Sequence, residues 1–290
     1  MKTKTLSIHN VLLTAFLLLS SSQALFSQGN DSIRVKGLFV GLSFGPSQSK
    51  ILNEGASAVS SSVSKEMNAY SGAAEVGYYF SKYFGLTSGI GYSTYNAQVT
   101  LASWQSKFSA IDSEKENFEM RASGTNITED QKLSYLTVPV YLNFRLPFSK
   151  SVGLFLQSGV NLAIPVGKDY SSTGTFTYKG YYSKYNVLLE NLPLYGFPSS
   201  KSTTTAGQLG VKSWTVFAVA SAGLDFFVAE NLQISLAASY CRSISDVSAQ
   251  KANDQYQLSP AADQLHSLME GSSKVSVESK GLSIILRRYF

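Results

Sequence analysis

Eight stretches of the chain alternate apolar side chains with small or polar ones at a period of two, the signature of a β-strand whose two faces meet different surroundings. The stretches are 37–45, 71–80, 84–95, 133–146, 152–164, 214–228, 231–243 and about 275–290. In 133–146, Leu136, Val138, Val140, Leu142, Phe144 and Leu146 share one face, and Tyr135, Thr137, Tyr141, Asn143 and Arg145 share the other. In 37–45, Leu38, Val40, Leu42 and Phe44 oppose Gly37, Gly41, Ser43 and Gly45. The second face is small or polar throughout, which suits the lumen of a barrel better than the dry core of a sandwich. Most of the stretches reach the roughly 9 to 11 residues that a tilted strand needs to cross hydrocarbon.

The connections sort by parity. After the second, fourth and sixth stretches they are short: Ser81 to Tyr83, Pro147 to Ser151, and Ala229 with Glu230. After the first, third, fifth and seventh they are long: about 46–70, 96–132, 165–213 and 244–274. Transmembrane barrels show short turns on the periplasmic side and long loops outside, and a soluble sandwich has no reason to sort its loops this way. The expected fold is therefore an eight-stranded antiparallel transmembrane β-barrel, an up-and-down meander with both termini periplasmic. The short turns repeat a pattern, Phe80-Ser81-Lys82-Tyr83-Phe84-Gly85-Leu86 against Phe148-Ser149-Lys150-Ser151-Val152-Gly153-Leu154, with a third version at Val228 to Ile234. Phe80, Phe84, Phe144, Phe148, Phe226, Phe227 and Phe290 are expected to form the periplasmic aromatic girdle, and Tyr92, Tyr135, Trp214 and Tyr240 the outer one.

The N-terminus carries Lys2 and Lys4, the apolar run Val11 to Leu19 and the small residues Ser20 to Ala24, which together read as a secretory signal peptide over 1–27, with 28–290 as the barrel domain. Nine apolar residues are too few to span a bilayer, and no later stretch approaches the roughly 20 that a spanning helix needs. The formal charge of +5 falls to +3 without Lys2 and Lys4 (5 − 2 = 3), and no basic cluster argues for nucleic acid. One cysteine, Cys241, excludes an internal disulfide and is expected to be an inert lumen residue.

The last stretch puts Leu282, Ile284, Leu286 and the terminal Phe290 on one face and Ser283, Arg287 and Tyr289 on the other, with Arg288 on the outward face. Such an ending resembles the final strand of bacterial outer-membrane barrels, and the resemblance implies that these apolar residues form the signal read by the barrel-insertion machinery. Tyr135-Leu136-Thr137-Val138-Pro139-Val140-Tyr141-Leu142, preceded by Gly89-Ile90-Gly91-Tyr92-Ser93, resembles the PorT-like outer-membrane β-barrel family. That likeness implies a structural barrel with no chemistry in its motifs. It also implies partners in outer-membrane lipid and, by analogy with the protein that names the family, in secretion of surface proteins. Pro139 cannot donate to a ladder, so a bulge or one missing ladder bond is expected there.

Catalytic material is scarce. The histidines are His9 and His266, too few for a metal cage or a triad, although His266-Ser267 near Asp263 leaves a lipid-modifying hydrolase as the least favoured reading. Asp112, Glu114, Glu116 and Glu119 read as a solvated acidic loop rather than a cation site. No catalytic residue, metal or cofactor is expected. Glu75, Arg145, Asp225 and Arg287 face the expected lumen, and buried charges must pair, so they should form an internal salt-bridge network that plugs the barrel. A gated ion pathway, giving a small-solute pore, is the alternative. The stretch 165–213 holds Tyr170, Phe176, Tyr178, Tyr181, Tyr182, Tyr185, Tyr195 and Phe197 with Val187-Leu188-Leu189. It reads either as a binding surface for a protein partner or as extra strand pairing and a lid over the rim.

Overall fold

A computed structural model describes residues 37–54, 61–149, 151–250 and 256–290; the signal-peptide reading of 1–27 lies outside them. Eight strands close into a ring: β1 (Gly37–Glu54), β2 (Val63–Tyr79), β3 (Phe84–Ile111), β4 (Asn117–Pro147), β5 (Val152–Tyr182), β8 (Thr215–Ala229), β9 (Leu232–Ser243) and β10 (Lys274–Tyr289), with β10 paired back onto β1. Every neighbouring pair is antiparallel. Two short strands, β6 (Val187–Glu190) and β7 (Lys201–Gln208), pair with the far end of β5.

Residue pairs followed once around the ring run Val40, Val76, Ser88, Val140, Val160, Ala218, Arg242, Glu278 and back to β1 at Lys50, a stagger of ten residues (50 − 40 = 10). Closing eight strands requires such a stagger and strands tilted by roughly 35–45°. The three short turns stand where the sequence puts them, and two owe their repeat to a serine. Ser81 Oγ accepts from the amides of Tyr83 and Phe84 at 3.2 and 3.0 Å, and Ser149 Oγ accepts from those of Ser151 and Val152 at 3.2 and 3.1 Å.

The long connections differ from expectation. Much of 46–70, 96–132 and 165–213 is strand: β4 and β5 are 31 residues each, and β3 with β4 forms one hairpin closed by the residues between Ile111 and Asn117. At roughly 3.3 Å per residue and a tilt of about 40°, β4 and β5 rise roughly 75 Å, about three times the ~25 Å apolar band of such barrels. The alternation in these segments was hidden because it inverts. Low on β3 the outward residues are Leu86, Ile90 and Tyr92 and the inward ones Thr87, Gly91 and Ser93; higher up the outward residues are Gln98 and Thr100 and the inward ones Val99 and Leu101. Above the membrane, water wets the outer face and the interior becomes the apolar side. At Asn126 (φ 53°) β4 breaks register with β5 between Thr125 and Thr128, and beyond it the buried face passes from odd residues such as Ile127 to even ones such as Ala122 and Met120.

At Pro139 there is no bulge. The β3–β4 ladder has no pairs at Gly89 and Ile90, opposite Pro139 and Val138, and resumes in the same register at Gly91 with Thr137, while Pro139 pairs with Asn161 of β5. Two girdle assignments are corrected. Phe227 and Tyr135 are 8 % and 0 % exposed and point into the lumen, since both share the parity of lumen residues, whereas Phe80, Phe84, Phe148, Phe290, Tyr92, Trp214 and Tyr240 are exposed on the wall. The lumen is also more aromatic than its small and polar residues suggest, because Phe39, Tyr79, Phe155, Phe217 and Tyr289 are buried in it.

Candidate functional site

The lumen is filled at three levels. At the end that carries the short turns the four inward charges meet as two ion pairs: Arg145 Nε stands 3.1 Å from Asp225 Oδ2, and Arg287 Nη2 stands 3.3 Å from Glu75 Oε2. Removing an ion from water costs several kcal/mol, and further hydrogen bonds to a buried pair offset part of that cost. Asp225 Oδ1 takes two, from Gln233 Nε2 and Ser235 Oγ, each 2.6 Å. Gly41 and Gly153 make room for the two arginines: a Cβ would lie 3.1 Å from Arg287 Cγ at the first and 3.0 Å from Arg145 Nη2 at the second. Arg145 lies 4.5 Å over the Phe227 ring and Arg287 5.0 Å over Phe39, so the aromatic floor of Phe39, Tyr79, Phe227 and Tyr289 also holds the cations.

Above this floor a polar chain runs from Gln157 Nε2 to Asn143 Oδ1 (3.1 Å) and from Asn143 Nδ2 to Thr87 Oγ1 (2.7 Å), while Tyr141 Oη donates to Asn161 Oδ1 (2.6 Å). A cavity of about 90 Å³ lies here, lined by Ser43, Glu75, Thr137, Gln157 and Ser239 among others. Cys241 is buried at its upper edge with its sulfur 3.5 Å from Tyr95 Oη, a setting without a nearby base. The third level is apolar. Tyr95, Tyr135 and Phe217 pack with ring centroids 5.1 to 5.9 Å apart, joined by Ile51, Leu133, Leu209 and Met269.

Above the membrane a cap formed by 256–273 folds against the inner faces of β3, β4 and β5. Leu258, Leu265 and Leu268 pack with Leu101, Trp104, Ile127, Phe176 and Tyr178. One buried carboxylate pins the cap. Glu129, 0 % exposed, accepts from Gln131 Nε2 (2.7 Å), Ser267 Oγ (2.7 Å), the Leu268 amide (2.8 Å) and Ser172 Oγ. Burial pushes its carboxyl above the ordinary carboxylate range, and the four donors oppose that rise. Sequence reasoning missed Glu129 and the cap because both lay in segments read as loop; the signal available was an acid on the same inward parity as Leu133 and Tyr135.

The hydrolase reading finds no geometry here: Ser267 is buried and gives its hydroxyl proton to Glu129, whereas His266 is exposed beside Tyr256. Asp112 closes the β3–β4 hairpin by accepting from the amides of Glu114 and Glu116 at 2.9 Å each, the Glu116 bond chief among those holding its carboxyl low. Among the described residues no three His, Cys, Asp or Glu side chains converge as a metal site would require.

The aromatic stretch 165–213 divides. Tyr178 and Phe197 are buried, so they are wall rather than surface: Tyr178 Oη bonds Ser259 Oγ and donates to the Ala261 carbonyl (3.1 Å), and Phe197 packs edge-on against Phe118 at 5.7 Å. Tyr170 is half-buried against the upper lumen cluster, and Tyr182 stacks on Phe118 at 5.1 Å and donates to Asp112 Oδ2 (2.9 Å). Tyr181 is half-buried under Arg121, 4.4 Å over its ring. Only Tyr185 and Tyr195 of the predicted set are exposed, at 57 % and 74 %, and Leu194 beside them, on a 3-10 turn over Pro193–Tyr195, is 97 % exposed.

Among known structures the chain is similar to the attachment invasion locus protein Ail of Yersinia pestis solved with the heparin analogue sucrose octasulfate (13 % identity, 87 % of this chain and 99 % of that one, TM-score 0.28). It is similar also to Neisserial surface protein A (11 %, 88 % and 97 %, 0.34) and to OprG of Pseudomonas aeruginosa (13 %, 90 % and 99 %, 0.36). At such identities and TM-scores these likenesses carry no argument about function. No curated protein matches the sequence. The model of the outer membrane protein beta-barrel domain matches residues 26–249, well over half of the chain. With that match and a closed ring of eight antiparallel strands, the chain belongs to the outer membrane protein beta-barrel domain family.

Proposed function

We propose that this chain is a non-enzymatic binding or scaffold barrel of the bacterial outer membrane, acting through its extracellular superstructure, with both termini periplasmic and residues 1–27 removed on export. The observation that carries the reading is the filled lumen: ion pairs and aromatics below, the Tyr95–Tyr135–Phe217 layer above, and the Glu129-pinned cap over both. In this reading the packed lumen leaves the outer surfaces to do the work. The strands that rise past the membrane end at a tip with Ile111, Tyr185, Leu188, Leu194 and Tyr195 exposed, the apolar and aromatic composition that protein interfaces use at their centres. In this reading Glu75, Arg145, Asp225 and Arg287 are a structural plug. Leu282, Ile284, Leu286 and Phe290 are the strand read by the insertion machinery. The resemblance of the Tyr135–Leu142 strand to PorT-like barrels fits a role beside a secretion or uptake complex.

Two measurements test it. Partners retained from detergent-solubilised outer membranes by the intact chain are expected to be lost when Tyr185, Leu188, Leu194 and Tyr195 are all replaced by Ser. Retention of every partner would move function to the barrel wall. In a planar bilayer the intact protein is expected to give a closed baseline across the voltage range, and stepwise openings would replace the binding reading with a pore.

A further inference from the structure

The outer wall is not uniform around the ring. On β10, β9 and β1 the lipid-facing residues Leu282, Leu236 and Phe44 give way to Lys280, Arg242 and Lys50, all on the outward face. The carboxylate of Glu278 stands between two of them, with Lys50 Nζ 3.4 Å from Oε2 and Arg242 Nε 3.2 Å from Oε1, and Lys280 Nζ lies 2.9 Å from Glu66 Oε1. Three cations thus meet two carboxylates, leaving one positive charge. Beside Lys50 and Lys280 runs a groove of about 230 Å³, lined also by Gln48, Glu66, Tyr240, Glu278 and Ser279.

The height of this cluster sets its chemistry. Tyr240 lies just below Arg242 on the same face of β9, and Ile244, 62 % exposed, lies just above it. On the neighbouring β8 side Trp214 is 64 % exposed, and on β5 Ile164 and Val166 are 55 % and 60 % exposed. Apolar wall therefore continues past the cations on one flank, which places them inside the outer boundary layer of the bilayer and not in open water above it. A charge on the lipid face costs roughly 2–4 kcal/mol at the midplane and about 0–1 kcal/mol near the interface, so a net positive cluster is tolerated only at headgroup depth. Anionic headgroups are the counter-charges found there. Glu278 holds Lys50 and Arg242 at fixed positions on the two strands that flank β10, and a guanidinium beside lysines is a phosphate-binding arrangement.

We propose that Lys50, Arg242 and Lys280, oriented by Glu278 and Glu66, form an external site for the phosphate of an outer-leaflet lipid headgroup. The site lies on the barrel wall, apart from the extracellular tip. Purified full-length protein in detergent, titrated with diphosphoryl lipid A, is expected to bind at least tenfold more tightly than to the same lipid stripped of its phosphates. K50Q/R242Q/K280Q is expected to lose that difference, whereas K184Q/K201Q, at the tip, keeps it. Should the triple variant fail to fold, judged by its migration in unheated detergent gels, Arg242→Gln alone is expected to weaken binding several-fold. Equal binding of the two lipids, or a triple variant that folds and binds as the parent does, overturns the site. Inorganic phosphate that saturates it at the lipid's own concentration overturns the assignment to a headgroup.

Discussion

The same strands build two different walls. Within the membrane β3 and β4 turn Ile90, Tyr92, Val138 and Leu142 outward and keep Thr87, Thr137, Asn143 and Arg145 inside. Above it they turn Gln98, Thr100, Asp130 and Lys132 outward and keep Val99, Leu101, Ile127 and Leu133 inside. The β3–β4 ladder keeps one register through the change. Strand pairing is indifferent to which face is apolar; the medium decides. In lipid the low-dielectric side is outside, so polar groups must be satisfied in the lumen, and in water the ordinary soluble rule returns. The lower lumen therefore rests on paired charges, and the upper interior on packing plus one anchored carboxylate.

Breaking the lower wall from within should have the largest effect. Asp225→Ala leaves Arg145 buried without its partner and is expected to destabilise the barrel by about 3–5 kcal/mol, read from urea unfolding in lipid vesicles. A loss below ~1 kcal/mol would mean that water already reaches the pair. A matched pair of substitutions on the outward face of β3 locates the inversion directly. Ile90→Arg is expected to cost about 2–4 kcal/mol in the same assay, and Thr100→Arg, ten residues up the same face, to stay within ~0.5 kcal/mol. Equal costs would put both residues in the same medium.

The upper region should respond to pH. The Glu129 carboxyl is raised in the folded protein, so between its unfolded and folded values the native state holds the extra proton. Its contribution to stability is then fully present below the unfolded value and is lost as pH rises through the folded one. Glu270, on the same cap and raised chiefly by burial, acts in the same direction. Hydrogen-exchange protection over 256–273 is expected to fall as pH rises through and just above the ordinary carboxylate range, and Glu129→Gln should flatten most of that change. An unchanged profile in the variant would assign the effect to Glu270. The smallest effect is expected at the tip: Leu194→Ser should leave stability within ~0.5 kcal/mol, since the side chain already lies in solvent.

This division also explains what could be read from the sequence. The membrane wall was legible because lipid demands a strict contrast between faces, and Leu136 to Leu146 on one parity against Thr137 to Arg145 on the other leaves little choice of register. The lumen charges followed from the same parity. The upper wall was not legible, because a reader following the apolar face up β3 meets Gln98 and Thr100 and sees the pattern end, when it has only crossed to Val99 and Leu101. The switch of buried parity near Asn126 blurs the trace a second time. Glu129, in the stretch set aside as loop, was lost with it. Tyr178 and Phe197 read as surface because aromatics in a loop have nothing else to do; once 165–182 is strand, Tyr178 is its inner face, and Phe197 folds in against Phe118.

The seam between β1 and β10 brings Phe39 beside Tyr289, 250 positions apart (289 − 39 = 250), and sets Arg287 against Glu75 across it. Contacts of such sequence separation carry a large loop-closure entropy, and topologies dominated by them fold slowly. Until that seam zips, β1 and β10 are two bare edges, each able to pair with any strand of another chain. The ion pair across the seam forms only when the ring closes in register, so a charge in the floor of the barrel doubles as a check that assembly has finished correctly.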